Sequence, residues 1–397
     1  MIDLILSTMI RSIAFTACVW GIGIAAGVYT IIGGLGAVVW SDLIQGSALL
    51  AGGVLVLVLA LFALGEGAGP LAGWRAFTEF HADNLHVVRD WNDPEIPSLS
   101  LVTGLWIPVL FYWGLNQFIV QRTLASGSLS EGQKGVLFAA AIKLLLPFLV
   151  VIPGMMAVQI LGERFDPGAP DQAYPAMIRE LLPVGVLGVM LAAVAGAVLS
   201  TFNSGLNSAA TVFTLDLWGT HVDPGMDDRG AVRVGRITTT VLAVAACLWA
   251  PVIHGFDGVF NYIQELWGFV SAPTCAVFFV GLLFLRVPPG AAKAALIAGP
   301  LLYLLSRAPA WVMEQPSVGE GGLAATVHAY ASMSFLYHMF VIFIALCTMM
   351  LLWGALAPGA ARPLPRTEAV EMTPMRGLRP ASIALLASVV ALYLVFW

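Results

Sequence analysis

Lys143 stands in the middle of a long apolar stretch, which is an expensive place for a charged side chain. The stretch starts between Glu131 and Lys134, so at about 1.5 Å per residue the Cα of Lys143 lies about 14 to 18 Å inside an apolar layer. A lysine at that depth in hydrocarbon costs about 3 kcal/mol or more. Its position indicates either a polar ligand in a cavity or a structural ion pair within a helix bundle.

A second polar feature is a stripe of small and hydroxylic residues in the apolar stretch 184–217. Spacings of three and four place its members on one helix face: Ala197, Ser200, Thr201, Ser204, Ser208 and Thr211. Close helix packing, with hydroxyls bonded to their own backbone carbonyls, is one explanation. The other is a hard-cation site, in which Ser200 and Thr201 supply two of the roughly five oxygens that Na⁺ requires.

Two aromatic residues and an amide have the chemistry to recognise a polar, ring-shaped ligand. Tyr112 and Trp113 lie past the middle of their apolar stretch, where they either pack against other helices or form a platform for a ring. Gln264 either hydrogen-bonds ligand hydroxyls or joins two helices. Asp42, at the start of another apolar stretch, either caps a helix N-terminus or lines an ion exit path.

Membrane-spanning helices have to position these residues. The 397-residue chain is 59% apolar and 10% charged, with a mean hydropathy of +0.90, whereas a soluble domain carries about 25% charged residues. A span needs about 20 apolar residues, so the chain has room for about ten, including separate spans at 10–32 and 41–64 and another at 99–122. Helices are expected because unpaired backbone groups in lipid cost several kcal/mol and no strand-like alternation is present.

The predicted organisation has three parts. A transmembrane core with peripheral helices occupies 1–357, a Pro- and Arg-containing cytoplasmic linker occupies 358–379, and a final transmembrane helix occupies 380–397. Most Lys and Arg residues fall in one alternate set of loops, which the positive-inside rule assigns to the cytoplasm. The protein is therefore expected to be a multi-pass protein of the cell membrane, inner or plasma.

Several classes of function are disfavoured by the sequence. The net charge is −5 and no stretch interleaves basic and aromatic residues, so nucleic acid is not an expected partner. The four cysteines lie singly in apolar stretches without metal-ligand spacing. The sequence has no His-x-x-x-His pair, nucleophile elbow or phosphate-binding glycine loop, so the protein is not expected to be an enzyme.

Four stretches of the sequence resemble the sodium:solute symporter family, specifically its sodium/glucose cotransporter branch. They are GVYTIIGGLGAVVWSD at 27–42, FYWGLNQ with QRTL at 111–124, the region from AYP to FTLD at 173–216, and FNYIQ at 260–264. The resemblance covers nearly the whole chain in the family's order.

The resemblance implies a LeuT-like inverted-repeat helical bundle, with sugar and sodium bound near the midplane and alternating access between the two sides. Matched motif by motif, Ala197, Ser200 and Thr201 fall on the sodium site, and Asp42 falls on the proposed sodium exit path. The residues that fall on sugar-contacting positions, with the inner gate first, are Tyr112, Trp113, Lys143 and Gln264.

The implied function is sodium-coupled symport of a hexose-type sugar across the cell membrane. The implied partners are the sugar, the lipid bilayer and Na⁺, which is the coupling ion, and no other cofactor is expected. Two alternatives are symport of another small polar solute, such as inositol or an acidic sugar, and a transport-incompetent fragment that acts as a membrane sensor or scaffold. Because the matched motifs begin at about the family's fourth core helix, the first core helices are expected to be missing.

Overall fold

The computed structural model describes residues 2–93, 96–166, 168, 170–253, 259–312, 322–360 and 371–396, and they are almost entirely helical. The α-helices in chain order are α1 (Ile2–Leu64), α2 (Pro70–Phe80), α3 (Ser100–Thr103), α4 (Trp106–Leu110), α5 (Gln117–Leu124), α6 (Leu129–Leu146), α7 (Ile152–Leu161), α8 (Ala173–Leu181), α9 (Val184–Thr211), α10 (Gly219–His221), α11 (Asp228–Ile253), α12 (Val259–Leu283), α13 (Pro289–Val312), α14 (Leu323–Ala331), α15 (Phe335–Leu356) and α16 (Leu378–Val395). Three π-helical segments continue α4, α6 and α9, at Phe111–Leu115, Pro147–Val151 and Val212–Trp218.

Within the described residues, nine helical segments are long and apolar enough to cross a membrane. The surfaces of these segments are largely apolar. Helix α16, for example, has no buried residue and exposes Ile383, Leu386 and Val390. Apolar surface on this scale is stable in hydrocarbon rather than in water. The predicted all-α membrane class is confirmed.

The first two predicted spans, 10–32 and 41–64, are joined in the single helix α1. Its segments Ile13–Gly33 and Val38–Leu64 each have the length and composition of a span. The four residues between these segments include neither proline nor a charged residue, and an interior glycine costs a helix only about 1 kcal/mol. The expected break therefore does not form. At about 1.5 Å per residue α1 is about 95 Å long, so both segments cross one bilayer only if α1 bends between them.

The span predicted at 99–122 is a broken helix. Gly104 separates α3 from α4, and a Cβ there would lie 2.1 Å from the carbonyl oxygen of Leu336. After α4 the chain enters the π-helical segment Phe111–Leu115, and Asn116 is extended with φ −77° and ψ 119°. The apolar part, Ser100–Leu115, is thus shorter than the nine candidate spans among the described residues.

The predicted division into core, linker and final helix stays a prediction. Residues 361–370 of the linker lie outside the described residues, and α16 begins at Leu378. The chain forms two compact units. Unit 1 consists of Met1–Leu85, Gln121–Val259 and Pro374–Val395, and unit 2 consists of His86–Val120, Phe260–Thr373 and Phe396–Trp397.

In unit 1, α1 lies antiparallel to α9. Gly52 of α1 faces Met190 near the start of α9, and a Cβ on Gly52 would lie 2.3 Å from the Met190 sulfur. Toward the other end of the contact, Thr30 of α1 donates a hydrogen bond to Asn203 of α9 at 3.0 Å. Small residues let the two backbones approach closely, which brings polar side chains of both helices into direct contact.

In unit 2, α12 packs closely against α13. A Cβ on Gly268 would lie 2.0 Å from the ring of Tyr303, and a Cβ on Gly299 would lie 2.5 Å from Pro273. The surrounding core is apolar and includes the fully buried Leu336 and Met339 of α15. The absence of side chains at the two glycines is therefore what fixes the spacing of α12 and α13.

Candidate functional site

The carboxylate of Asp42 is the centre of a polar network in unit 1. Arg122 of α5 donates to its Oδ2 atom from Nε at 2.9 Å and from Nη2 at 2.6 Å. The hydroxyl of Ser200 on α9 donates to Oδ1 of the same carboxylate. One acidic group thus connects α1, α5 and α9. Because Asp42 lies inside the continuous helix α1, the alternative that it caps a helix N-terminus is wrong.

Buried amides and hydroxyls extend this network along α9. The Ser204 hydroxyl, which is fully buried, contacts Nη2 of Arg122. Gln121 donates to the Ser204 carbonyl at 3.4 Å and accepts a hydrogen bond from Asn207 at 3.3 Å. Buried polar groups cost free energy unless they are paired, and these hydrogen bonds offset that cost.

The stripe of hydroxylic residues on α9 divides into two kinds. Thr201, Ser204 and Thr211 donate to carbonyls four residues earlier, at 3.0, 2.8 and 2.7 Å. This is the ordinary backbone bonding that one of the two explanations predicts. The Ser200 hydroxyl instead donates to Asp42 on another helix. Ser204 makes both kinds of contact, because its hydroxyl also meets Arg122 of α5. Whether Ala197, Ser200 and Thr201 bind sodium stays a prediction.

The residues predicted at the inner gate form an aromatic cluster in unit 2. The ring of Tyr112 lies 5.0 Å from that of Trp113, 5.4 Å from that of Phe118 and 4.8 Å from that of Trp267, measured between centroids. The side chain of Trp113 is 43% exposed. Tyr112 and Trp113 belong to the π-helical segment Phe111–Leu115, and π-helical segments are frequent at functional sites.

Gln264 lies on the same helix as one partner of that cluster. It belongs to α12, is buried, and precedes Trp267 by three residues, so the two side chains share a helix face. Trp267 thus contacts the ring of Tyr112 and lies on the same helix face as Gln264. Their predicted role in sugar binding stays a prediction.

Lys143, the fourth predicted sugar contact, belongs to unit 1. It lies in the last turn of α6, and its side chain is exposed. The helix becomes π-helical immediately afterwards, at Pro147–Val151, and the Leu149 carbonyl there accepts a hydrogen bond from Tyr174 at 3.3 Å. The backbone is therefore irregular about one turn beyond Lys143, where Pro147 has no N–H to donate.

Sequence reasoning missed several members of these polar contacts. Arg122 and Gln121 belong to the QRTL motif, but nothing in the motif indicated that Arg122 pairs with a carboxylate 80 positions away. In unit 2, Glu265 accepts from the Tyr303 hydroxyl at 2.8 Å and forms an ion pair with Arg307. The available signal was that Glu265 and Arg307 are charged residues near span ends, which need a partner when they are partly buried.

The described residues contain no group of three or more His, Cys, Asp or Glu side chains arranged to hold a metal ion. A sodium site does not require such a group, since hydroxyl and carbonyl oxygens are sufficient ligands. The donor set around Ser200 is of this oxygen-rich kind, with one carboxylate.

Comparisons with known proteins identify the class. A solved structure of a Na⁺-coupled sialic acid symporter, in a substrate-bound outward-open state, superposes on this chain with a TM-score of 0.64 at 19% sequence identity. The match covers 86% of this chain and 67% of the chain of the solved structure. The chain accordingly has the LeuT-like fold that the resemblance implied. The Sodium:solute symporter family profile matches residues 4–299. The chain therefore belongs to the sodium:solute symporter family, and it is a multi-pass protein of the cell membrane.

The curated relatives of the chain include transporters that are named after different solutes. The chain is 40% identical to the sodium/glucose cotransporter of Vibrio parahaemolyticus over 296 residues, which is 70% of this chain and 54% of the relative. It is 33% identical to the uncharacterized symporter YidK of Escherichia coli, over 94% of this chain and 61% of the relative. It is 34% identical to human sodium/myo-inositol cotransporter 2, over 73% of this chain and 47% of the relative. The chain thus spans about half to three fifths of these relatives' lengths.

Proposed function

We propose that the protein takes part in sodium-coupled symport of a hexose-type sugar across the cell membrane by alternating access. The observation that carries this proposal is the contact between Ser200, a predicted sodium ligand, and Asp42, the predicted exit-path residue. A hydroxyl beside a carboxylate whose charge is balanced by Arg122 provides oxygen ligands suited to a monovalent cation, without the closed cage of carboxylates that favours divalent ions. No organic cofactor and no catalytic chemistry are part of the proposal.

The ion would use Ala197, Ser200 and Thr201 as ligands and Asp42 as its next contact toward the cytoplasm. Each sodium ion moving inward would contribute about 2.3 kcal/mol per 100 mV of membrane potential. Sodium would stabilise the outward-open state, which binds sugar, and coupling follows from that difference in affinity between states. The proposed sugar contacts in unit 2 are Gln264 and the aromatic pair of Tyr112 and Trp113, and the proposed sugar contact in unit 1 is Lys143.

A hexose is preferred over other solutes for two reasons. Lys143 and Gln264 offer hydrogen-bond donors suited to sugar hydroxyls, and the relative with 40% identity is a sodium/glucose cotransporter. A second candidate is symport of inositol or an acidic sugar, which the myo-inositol relatives and the sialic acid neighbour favour. Competition of labelled galactose uptake by glucose, myo-inositol and sialic acid separates the two candidates.

The proposal is tested with the chain reconstituted in proteoliposomes. Uptake of labelled galactose is measured against sodium concentration, with choline as the replacement cation. Ser200→Ala should raise the half-saturating sodium concentration about fivefold, which is the effect of losing one ligand worth about 1 kcal/mol. Thr211→Ala is the matched control, because it removes a hydroxyl of the same helix that donates to the backbone carbonyl of Asn207.

Two results would overturn the proposal. One is galactose uptake that proceeds equally in choline, and the other is an equal sodium dependence of Ser200→Ala and the unmodified chain. Saturable galactose binding without net flux would instead favour the membrane sensor or scaffold.

A further inference from the structure

The first turns of α11 present an exposed cluster of arginines. Arg229, Arg233 and Arg236 follow one another at spacings of four and three, so their side chains lie on one face of the helix. They line an open groove of about 530 Å³, together with Asp228 and the exposed apolar side chains of Val232 and Ile237. This basic groove combines positive charge with apolar surface at the end of a candidate membrane span.

The charge of the basic groove is largely uncompensated. Among the described parts of the chain, the ion pairs within 4.0 Å involve other arginines. Of the two carboxylates at the start of α11, Asp227 accepts the backbone N–H of Gly230 at 2.8 Å as a helix cap. Asp228 alone lines the groove with the three arginines, so the groove has a net positive charge.

A second, apolar groove lies farther along the same helix. It measures about 160 Å³ and lies between α1 and α11, where it is lined by Gly23 and Gly27 of α1 and by Thr240 and Val244 of α11. Thr240 follows Arg236 by four residues, so the apolar groove begins about 6 Å along the helix axis from the last arginine. The apolar groove lies on the membrane side of the arginines, since α11 becomes apolar in that direction.

We propose that the basic groove binds the phosphate of an anionic phospholipid, whose acyl chain occupies the apolar groove between α1 and α11. Guanidinium groups bind phosphate oxygens in pairs of parallel hydrogen bonds. The order of the two grooves matches a phospholipid, with charge at the membrane surface and hydrocarbon below it. A freely soluble phosphate would use only the arginines and would leave the apolar groove without a role.

The test is lipid binding by the purified chain, measured by native mass spectrometry with phosphatidylglycerol and phosphatidylcholine. In the double variant Arg233→Gln/Arg236→Gln, the ratio of phosphatidylglycerol binding to phosphatidylcholine binding should fall about tenfold or more. Each basic residue near an anionic surface raises the affinity for that surface several-fold. The matched control is Arg376→Gln/Arg379→Gln, which removes two exposed arginines at the start of α16. The control should keep the preference of the unmodified chain.

A second variant tests the apolar groove independently. Val244→Trp keeps all three arginines but places a larger side chain in the apolar groove that Val244 lines. It should weaken the binding of long-chain phosphatidylglycerol several-fold and leave the binding of the short-chain, dihexanoyl form unchanged. Equal losses in both arginine double variants would overturn the proposal in favour of general surface charge. Binding of inorganic phosphate as tight as that of phosphatidylglycerol would also overturn it, as would unchanged lipid preference in the Arg233/Arg236 variant.

Discussion

The ion pair of Asp42 and Arg122 should couple α1 to α5 by about 2 kcal/mol in a double-mutant cycle. Opposite charges about 4 Å apart attract by about 4 kcal/mol at an effective dielectric of about 20, and desolvation together with partial exposure offsets about half of that. The side chain of Arg122 is 30% exposed and that of Asp42 is 21% exposed. They are therefore less solvated than an ordinary surface pair but not fully buried.

The assay is unfolding by sodium dodecyl sulfate in mixed micelles, followed by the helical circular dichroism signal. The cycle consists of Asp42→Asn, Arg122→Gln and the double variant, since the pairwise energy is obtained only when the two single effects are subtracted. The matched control is the pair of Arg164 and Glu180, which is likewise joined by two hydrogen bonds, both of 3.1 Å. The Arg164 side chain is 64% exposed and the Glu180 side chain is 38% exposed. Its coupling energy should stay below about 1 kcal/mol.

The comparison between the two cycles decides whether the reasoning is correct. A coupling energy for Asp42 and Arg122 no larger than that of the control would refute the inference that the network of α1, α5 and α9 strengthens this pair. The single variants are not decisive by themselves, because each also removes a contact with Ser200 or Ser204.

Two other predictions concern the packing of unit 2 and a buried histidine of unit 1. Tyr303→Phe removes the hydroxyl that donates to Glu265 at 2.8 Å and should lower the free energy of unfolding by about 1 to 3 kcal/mol; an unchanged unfolding midpoint would contradict it. Burial lowers the pKa of His81 below 6.5, and its hydrogen bond to the backbone of Met155 opposes this. The unfolded chain therefore binds the proton more tightly, so stability should fall as the pH drops below about 6.5. His81→Gln should flatten this dependence between about pH 7 and pH 5, and a slope equal to that of the unmodified chain would exclude His81 as its source.

The sequence was sufficient to predict the class of protein, whereas the roles of the predicted site residues stay predictions. Apolar stretches of span length can only be helices in lipid, because every backbone group must be paired within the segment. The stripe of hydroxylic residues on α9 could also be predicted from the sequence, because spacings of three and four place side chains on one helix face whatever the helix packs against. The family motifs then indicated which members of that face to consider, Ser200 among them.

The tertiary structure decided which side chains meet. Ser200 contacts Asp42 across 158 positions of sequence, and Arg122 contacts it across 80. Periodicity describes the face of one helix, whereas the neighbour of that face is selected by how closely the backbones can pack, as at Gly52 against Met190. The sequence likewise did not determine whether α1 is continuous, because a glycine-rich stretch without proline is compatible with both a turn and a helix, and a glycine costs the helix only about 1 kcal/mol.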